Sequence, residues 1–492
     1  MTILCRTAVW LIILLACAMP LAQAQEKVTY ESLVEALREG EPAYKDAEAI
    51  SYVRQVLPLV EQAAGRKFKA FPKWKLTTRE SLIPVIADDI LAQVKRRYPE
   101  LGADEVRKQA RQAARALVIC FLGVYSPKMQ VLYLLPRNFD PLMKLAEIDP
   151  KYQQDVVKLI VAHELSHALQ DQHMSLAALQ DNANSVEKSL ALSATMEGFA
   201  MFMQERVAAE MKLDDAAREL GSSISTGAIK GIDPALEANL TRARGMVQGI
   251  YMSGRDFINW QYEHGGIERV WQVLAAPPIK TSMIFRPETY STTASESAVD
   301  YAKVLAGLEL RIETRKWLVT NAELGEMEVR SIYAEMESNI RDESISKLDH
   351  AQWLIATSDG CEVRIGLLVF KERSAVLPFI SAVERIAVAN LVRVRKSQSW
   401  QVEAGSPQNF EPMKGRSDFA RKLAYVLKSQ GRAVPSVFVQ SAWGKAVVCV
   451  SVQGITVPDS RITSVLEEVF RRLPQGLLAA QADTSGVTLL TQ

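Results

Sequence analysis

The chain is short of histidine, of cysteine and of surplus charge, and each shortage narrows what it can be. Its 58 Lys and Arg are balanced by 57 Asp and Glu. It therefore lacks the cationic excess with which a generic nucleic-acid or membrane-surface binder meets phosphate. Five cysteines occur in 492 residues. Cys5 and Cys17 belong to the amino-terminal segment, and Cys120, Cys361 and Cys449 are too few and too scattered for a disulfide framework or a Cys-rich metal cluster. A Cys361–Cys449 bridge stays open, and the odd number leaves at least one thiol outside any internal pair. Past the amino terminus no uninterrupted apolar run is long enough to span a bilayer. The apolar-rich stretch 365–394 is broken by Lys371, Glu372, Arg373, Glu384 and Arg385.

What is present begins with a targeting segment. Arg6 precedes an apolar run, Ala8–Ala18, and Ala22-Gln23-Ala24 puts small residues where a signal peptidase reads them. This layout predicts a secretory signal over residues 1–24, cut after Ala24, and a periplasmic or secreted protein with no membrane span once the signal is removed. Two other readings compete. A retained anchor would need a longer apolar run, and lipidation at Cys17 would suit a different residue from Leu15 two positions earlier.

The length that remains suits two or three domains. To about residue 290 the pattern is mainly helical, with predicted helices at 31–39, 47–65, 77–98, 103–120, 140–148, 152–173, 186–211 and 235–262. A strand is predicted within 68–76, and 121–124 with 129–135 read as a hairpin about a Ser-Pro turn. Residues 221–231 look loop-like. The proline-flanked stretch 277–290 and the Ser/Thr-rich stretch 291–297 place a domain boundary, giving 25–295 and 300–492 as separate regions. The second reads as α+β: helices at 303–317, 322–340, 375–387, 419–430 and 459–473, and strands at 353–357, 363–370, 391–394, 436–440 and 446–452, with Trp443-Gly444 as a hairpin turn.

Only five histidines are spent on the whole chain, and two of them fall in His163-Glu164-Leu165-Ser166-His167. A spacing of four puts both imidazoles on one helix face, one turn apart, where they can grip one ion. Glu164 is offset by one residue, beside the ion rather than on it, where a carboxylate can take a proton from water. Catalytic zinc usually has a third protein ligand. His173 stands at a spacing some zinc peptidases use, but they carry a helix-breaking glycine where this chain has Gln170. The alternative is Glu197 on the following helix, among the apolar residues Met196, Phe199, Ala200, Met201 and Phe202, with Gly198 allowing close backbone approach. Of the two, Glu197 is the better placed. Glu187 and Glu205 read as surface charges, and His264 and His350 as isolated. Asp171 could accept from a ligand imidazole or cap a neighbouring helix.

The stretch His163–His173, HELSHALQDQH, resembles the HELTHALQDQHF motif of bacterial and archaeal zinc-peptidase-like proteins, and Glu197-Gly198-Phe199-Ala200 is similar to their downstream EGDA. The resemblance runs through Tyr125-Ser126-Pro127, Tyr251-x-x-Gly254-x-x-Phe257, Gly265-Gly266, Pro277-Pro278-x-x-Thr281 and Pro287-Glu288-x-Tyr290. It covers roughly the first half of the mature chain. It implies a zincin-like, mainly helical metallopeptidase domain with a small β-sheet, and makes Glu197 the third ligand, as in gluzincins. Phe199 departs from it by replacing an acidic residue that could orient a ligand histidine, and Arg286 stands where related sequences tend to have histidine.

The expected chemistry is peptide-bond hydrolysis: Zn2+ held by His163, His167 and Glu197, Glu164 as general base, and an oxyanion donor among Tyr251, Arg286 and Tyr290, with Tyr251 first. The strand at 129–135 is a candidate edge for an extended peptide or protein substrate. The rival is a non-catalytic exported binding module on the same scaffold; an intact Glu164 weighs against it, since a scaffold has no use for the base. Oligomeric state leaves no signature.

Overall fold

The computed structural model describes residues 37–97, 101–226, 234–290, 299–308, 317–358, 360–396, 401–415, 417–429 and 432–478. The expected signal segment and most of the predicted helix at 31–39 lie outside them. The fold is α+β, in two compact units. One runs to Ala294 and also takes in Gly325–Glu335; the other holds Ser295–Leu324 and the chain from Met336 onward.

In the first unit, α1 (Asp46–Ala64) stops at Gly65, whose φ of 63° suits a residue without Cβ. Then come β1 (Lys73–Leu76), α2 (Arg79–Arg97) and α3 (Ala103–Leu117). Thr78 caps α2: its hydroxyl accepts from the Ser81 amide. The hairpin β2 (Gly123–Ser126) and β3 (Val131–Leu134) follows. β3 lies between parallel β1 and antiparallel β2. Both its edges are therefore occupied, and it cannot add the substrate strand expected of it; β2 is the outer strand next to the long helices. Successive residues face opposite ways: Val124 and Tyr133 pack on the α2–α3 pair, while Tyr125, Leu132 and Leu134 join the main core.

That core is built on α5 (Gln153–Met174), which follows α4 (Phe139–Leu145), and on α7 (Val186–Met211), which follows α6 (Leu176–Asn182). Both are buried nearly all round, α7 continuously over 189–204, as befits helices at the centre of a unit. Next are α8 (Asp214–Thr226), whose last turn occupies the first part of the expected loop 221–231, then α9 (Pro234–Gln248), a π-helical turn at Gly249–Ser253, α10 (Gly254–Glu263), α11 (Gly266–Ala275) and α12 (Ser282–Phe285).

The second unit opens with α13 (Tyr301–Leu305) and β4 (Leu318–Glu323). The chain lends α14 (Glu326–Ile332) to the first unit, then continues through α15 (Ser338–Ser346), β5 (Leu348–Ser358), β6 (Cys361–Phe370), α16 (Val376–Lys396), β7 (Gln401–Ala404), β8 (Gln408–Asn409), β9 (Phe419–Ser429), β10 (Arg432–Trp443), β11 (Ala446–Gln453), α17 (Asp459–Arg472) and α18 (Gln475–Leu478). The eight-stranded antiparallel sheet has the order β4-β5-β6-β11-β10-β9-β7, with β8 on β9. Ile365, Val450 and Val452 on one face meet Ile462, Leu466 and Val469 of α17. On the other face Phe370 packs against Phe379 of α16, and Gln440 donates to the Ile380 carbonyl.

Two expected elements are overturned here. Residues 419–429 form a strand, not a helix: the buried Leu423 and Leu427 are four apart, a spacing that fits periods of both 3.6 and 2, and pairing with β10 decides it. Residues 391–394 extend α16 instead of forming a strand. By length and composition Arg373–Arg393 could also cross a membrane, but Phe379, Ile380, Ala382 and Val383 are buried within the unit. The Cys361–Cys449 bridge is absent, and none of the three cysteines among the described residues is in a disulfide. Cys449 pairs with Gly366, five residues along β6 from Cys361, a separation of about 17 Å, far beyond disulfide reach.

Candidate metal centre

The two central helices are apolar enough to be buried on every side, so their polar residues must satisfy one another. Some do so locally: Ser166, Ser193 and Thr195 donate to carbonyls four residues back, those of Ala162, Ser189 and Ala191. His163, Glu164, His167, Gln170 and Glu197 remain, each at most 3 % exposed.

Helix α5 runs unbroken through Gln170, so His163 and His167 lie one turn apart on the face toward α7. Glu197 meets them there. Its Oε2 is 2.9 Å from His163 Nε2 and 3.5 Å from His167 Nε2, and the two Nε2 atoms are 3.3 Å apart. A tetrahedral ion with arms of 2.0–2.1 Å needs ligand atoms about 3.3 Å apart. The other carboxylate oxygen, Glu197 Oε1, is buried without a hydrogen-bond partner, a costly state that a cation would relieve. Distances and orphaned oxygen together make these residues a fit for a divalent ion.

Glu164 takes no part in that triangle. Its Oε2 accepts the backbone amide of Tyr125 on β2 at 2.7 Å. A Cβ on Gly123 would fall 2.9 Å from Ile160 and 3.2 Å from Glu164; a glycine here lets helix and strand close up. The two carboxylates titrate far apart. Burial is the main influence on Glu164 and, with Glu197 adding to it, raises its pKa to about 7 against the lowering effect of His163 and the Tyr125 amide. Burial also pushes Glu197 up, but the charges and hydrogen bonds of His167 and His163 together outweigh it and hold the group at about 2. One carboxylate stays ionised as a ligand must; the other exchanges its proton near neutrality, as a general base should.

Tyr251 is the one oxyanion candidate beside these groups: its ring stacks on His163 at 6.2 Å and 25°. It sits in the π-helical turn, a local expansion often found at functional sites. Its place is fixed by a close crossing of α7 and α10. A Cβ on Gly198 would overlap the Gly254 carbonyl and lie 2.8 Å from the Arg255 nitrogen, and one on Gly254 would overlap the Ala194 carbonyl. Gly198 thus gives close approach, but to α10 rather than to α5.

The other candidates are elsewhere. Arg286 binds both oxygens of Glu326, at 3.0 and 2.5 Å, and the Tyr290 hydroxyl donates to the Ala276 carbonyl. His173 meets the Lys67 carbonyl at 2.9 Å and packs on Trp271. His264 stacks on Trp260, and His350 on Tyr301 in the second unit. Asp171 accepts from the Tyr125 hydroxyl and from the Leu176 amide that opens α6, both at 2.7 Å. Glu205 pairs with Arg255 at the surface, but Glu187 is no surface charge: it is buried, accepts from the Thr281 amide and hydroxyl, and lies against Gly325. Phe199 is buried on Trp271; two residues past Glu197 it points to the opposite side of α7, so no side chain at 199 faces His163 and His167. Sequence reasoning missed Gln170. Its Oε1 is 2.8 Å from His167 Nδ1, and its Nε2 donates to the Met196 carbonyl at 3.3 Å.

No family model and no curated protein matches this chain. Among solved structures it is similar, at 15% identity and a TM-score of 0.37, to a Chloroflexus aurantiacus protein of novel fold provisionally called a hydrolase, over 52% of this chain and 94% of that one. An overlap that loose carries no argument about fold or activity.

Proposed function

We propose that the chain is an exported zinc-dependent peptidase of the zincin type, hydrolysing peptide bonds at His163, Glu164, His167 and Glu197. One observation carries the reading: two imidazoles and a carboxylate converge at ligand spacing, with a second carboxylate, Glu164, from the same helix turn held outside that group by the Tyr125 amide. The resemblance of His163–His173 to zinc-peptidase motifs supports it, and the signal-like layout of residues 1–24 supports export.

His163, His167 and Glu197 would hold the ion, and zinc bound there supplies Lewis-acid polarisation of a carbonyl and acidifies water. Glu164, proton-free in part at neutral pH, takes a proton from the attacking water and returns it to the leaving amine. The Tyr125 amide holds the carboxylate in place between the two transfers. Tyr251 donates to the oxygen on which negative charge develops.

The test is cleavage of casein and a broad peptide library by zinc-loaded wild type and Glu164→Gln. Cleavage by wild type, with a loss of about 100- to 10,000-fold in a variant of equal zinc content, supports the peptidase. A zinc-loaded wild type that cuts nothing points to a binding module and overturns it.

A further inference from the structure

Resting on the metal-site reading above, we infer that Gln170 is a positioning residue that fixes the tautomer of His167 and ties the two ligand helices together. The logic starts from a group with only one hydrogen-bonding character. The Met196 carbonyl can accept but never donate. The Gln170 side chain approaches it at 3.3 Å, so the amide nitrogen must face Met196, since the reverse placement would set two acceptors against each other. The amide oxygen then faces His167 Nδ1 at 2.8 Å. An amide oxygen only accepts, so Nδ1 carries the proton. A neutral imidazole has one N–H, and Nε2 is left with a bare lone pair. That atom is the one turned toward Glu197 and His163.

One side chain therefore settles which ring nitrogen can bind a cation, without adding charge. The same amide reaches the backbone of Met196, the residue before Glu197. His167 on α5 and Glu197 on α7 are thus set in register by Gln170, which is itself fully buried and has no solvent to replace either bond. Partners of this kind around ligand histidines typically govern metal affinity by 10–100-fold.

The test uses the full chain and three readouts. Zinc affinity is measured by chelator competition, the visible spectrum of the cobalt(II) form reports ligand geometry, and imidazole 15N shifts of the metal-free protein report the tautomer, with His167 assigned by its absence in His167→Gln. Wild type is expected to show an unprotonated Nε2 at His167. Gln170→Leu should lose about 10–100-fold in zinc affinity and shift the cobalt band. Gln170→Glu, which still accepts from Nδ1–H but can no longer donate to the Met196 carbonyl, should keep the wild-type tautomer of His167 while recovering only part of that loss. A proton on Nε2 in the metal-free wild type overturns the inference whether or not any variant folds; so does a Gln170→Leu variant with wild-type affinity and spectrum. If the wild type binds no metal, the metal-site reading itself fails.

Discussion

Replacing Gly198 by alanine is a sharp test of how the site is assembled. The added Cβ would overlap the backbone carbonyl of Gly254 and sit 2.8 Å from the Arg255 nitrogen. These are main-chain atoms of α10 and cannot rotate aside. Ordinary contact needs about 3.5–4 Å, so α7 and α10 must part by more than about 1 Å. Overpacking of a well-filled core costs about 1–3 kcal/mol, and an obstacle made of backbone belongs at the upper end. At roughly 2–4 °C per kcal/mol, the first unit should melt about 6–12 °C lower. The site moves with it: Glu197 precedes Gly198 and Tyr251 precedes Gly254 by three residues, and a 1 Å shift exceeds the roughly 0.5 Å tolerance of a ligand set. Metal affinity should therefore fall as well, by about tenfold or more. Differential scanning fluorimetry and chelator competition read both effects. Gly221→Ala, on a helix with no heavy atom of the described residues near the new Cβ, is the control and should be stabilising by about 0.5–1 kcal/mol. A Gly198→Ala protein that melts and binds metal like wild type would refute the close-crossing argument.

Other consequences are as definite. Glu326, 3 % exposed, binds Arg286 and Arg330, which are 24 % and 15 % exposed; Glu326→Ala should cost about 2–3 kcal/mol in urea unfolding of the first unit, less than a fully buried pair because the arginines keep some water. In the second unit, burial raises the Cys449 thiol from 9.0 to about 12. The folded state holds this proton more tightly than the unfolded chain, so the contribution is intact below pH 9 and is lost as pH rises through 12. Folding stability of wild type should fall about 1.4 kcal/mol per pH unit faster than that of Cys449→Ala in this window; equal slopes would refute the assignment.

How much of this was legible before folding follows from which interactions are local. The His163–His167 spacing and the apolar run around Glu197 are periodicities within single helices, so the candidate ligand set was visible. The place of β3 between two strands was not, because strand order is set by tertiary pairing; the outer strands are β1 and β2. Glu187, in the first turn of α7, reads as a solvated helix-start charge. Its partners Thr281 and Gly325 are far along the chain, and nothing local announces them. In the sequence Gln170 stands out only as a position lacking a helix-breaking glycine. The signal that could have found it is an amide three residues past a ligand histidine, on an otherwise apolar helix. In β9, Leu423 and Leu427 satisfy both helical and strand periods, and only the partner strand breaks the tie.

The sharing of one ion by His163, His167 and Glu197 is tested most directly by native mass spectrometry of the zinc-treated full chain beside its Glu197→Ala and His173→Ala variants. One zinc per chain is expected in wild type and in His173→Ala, with the ion lost from Glu197→Ala at the same free zinc. A wild type without zinc, or a Glu197→Ala variant that keeps its ion while His173→Ala loses it, would contradict the site.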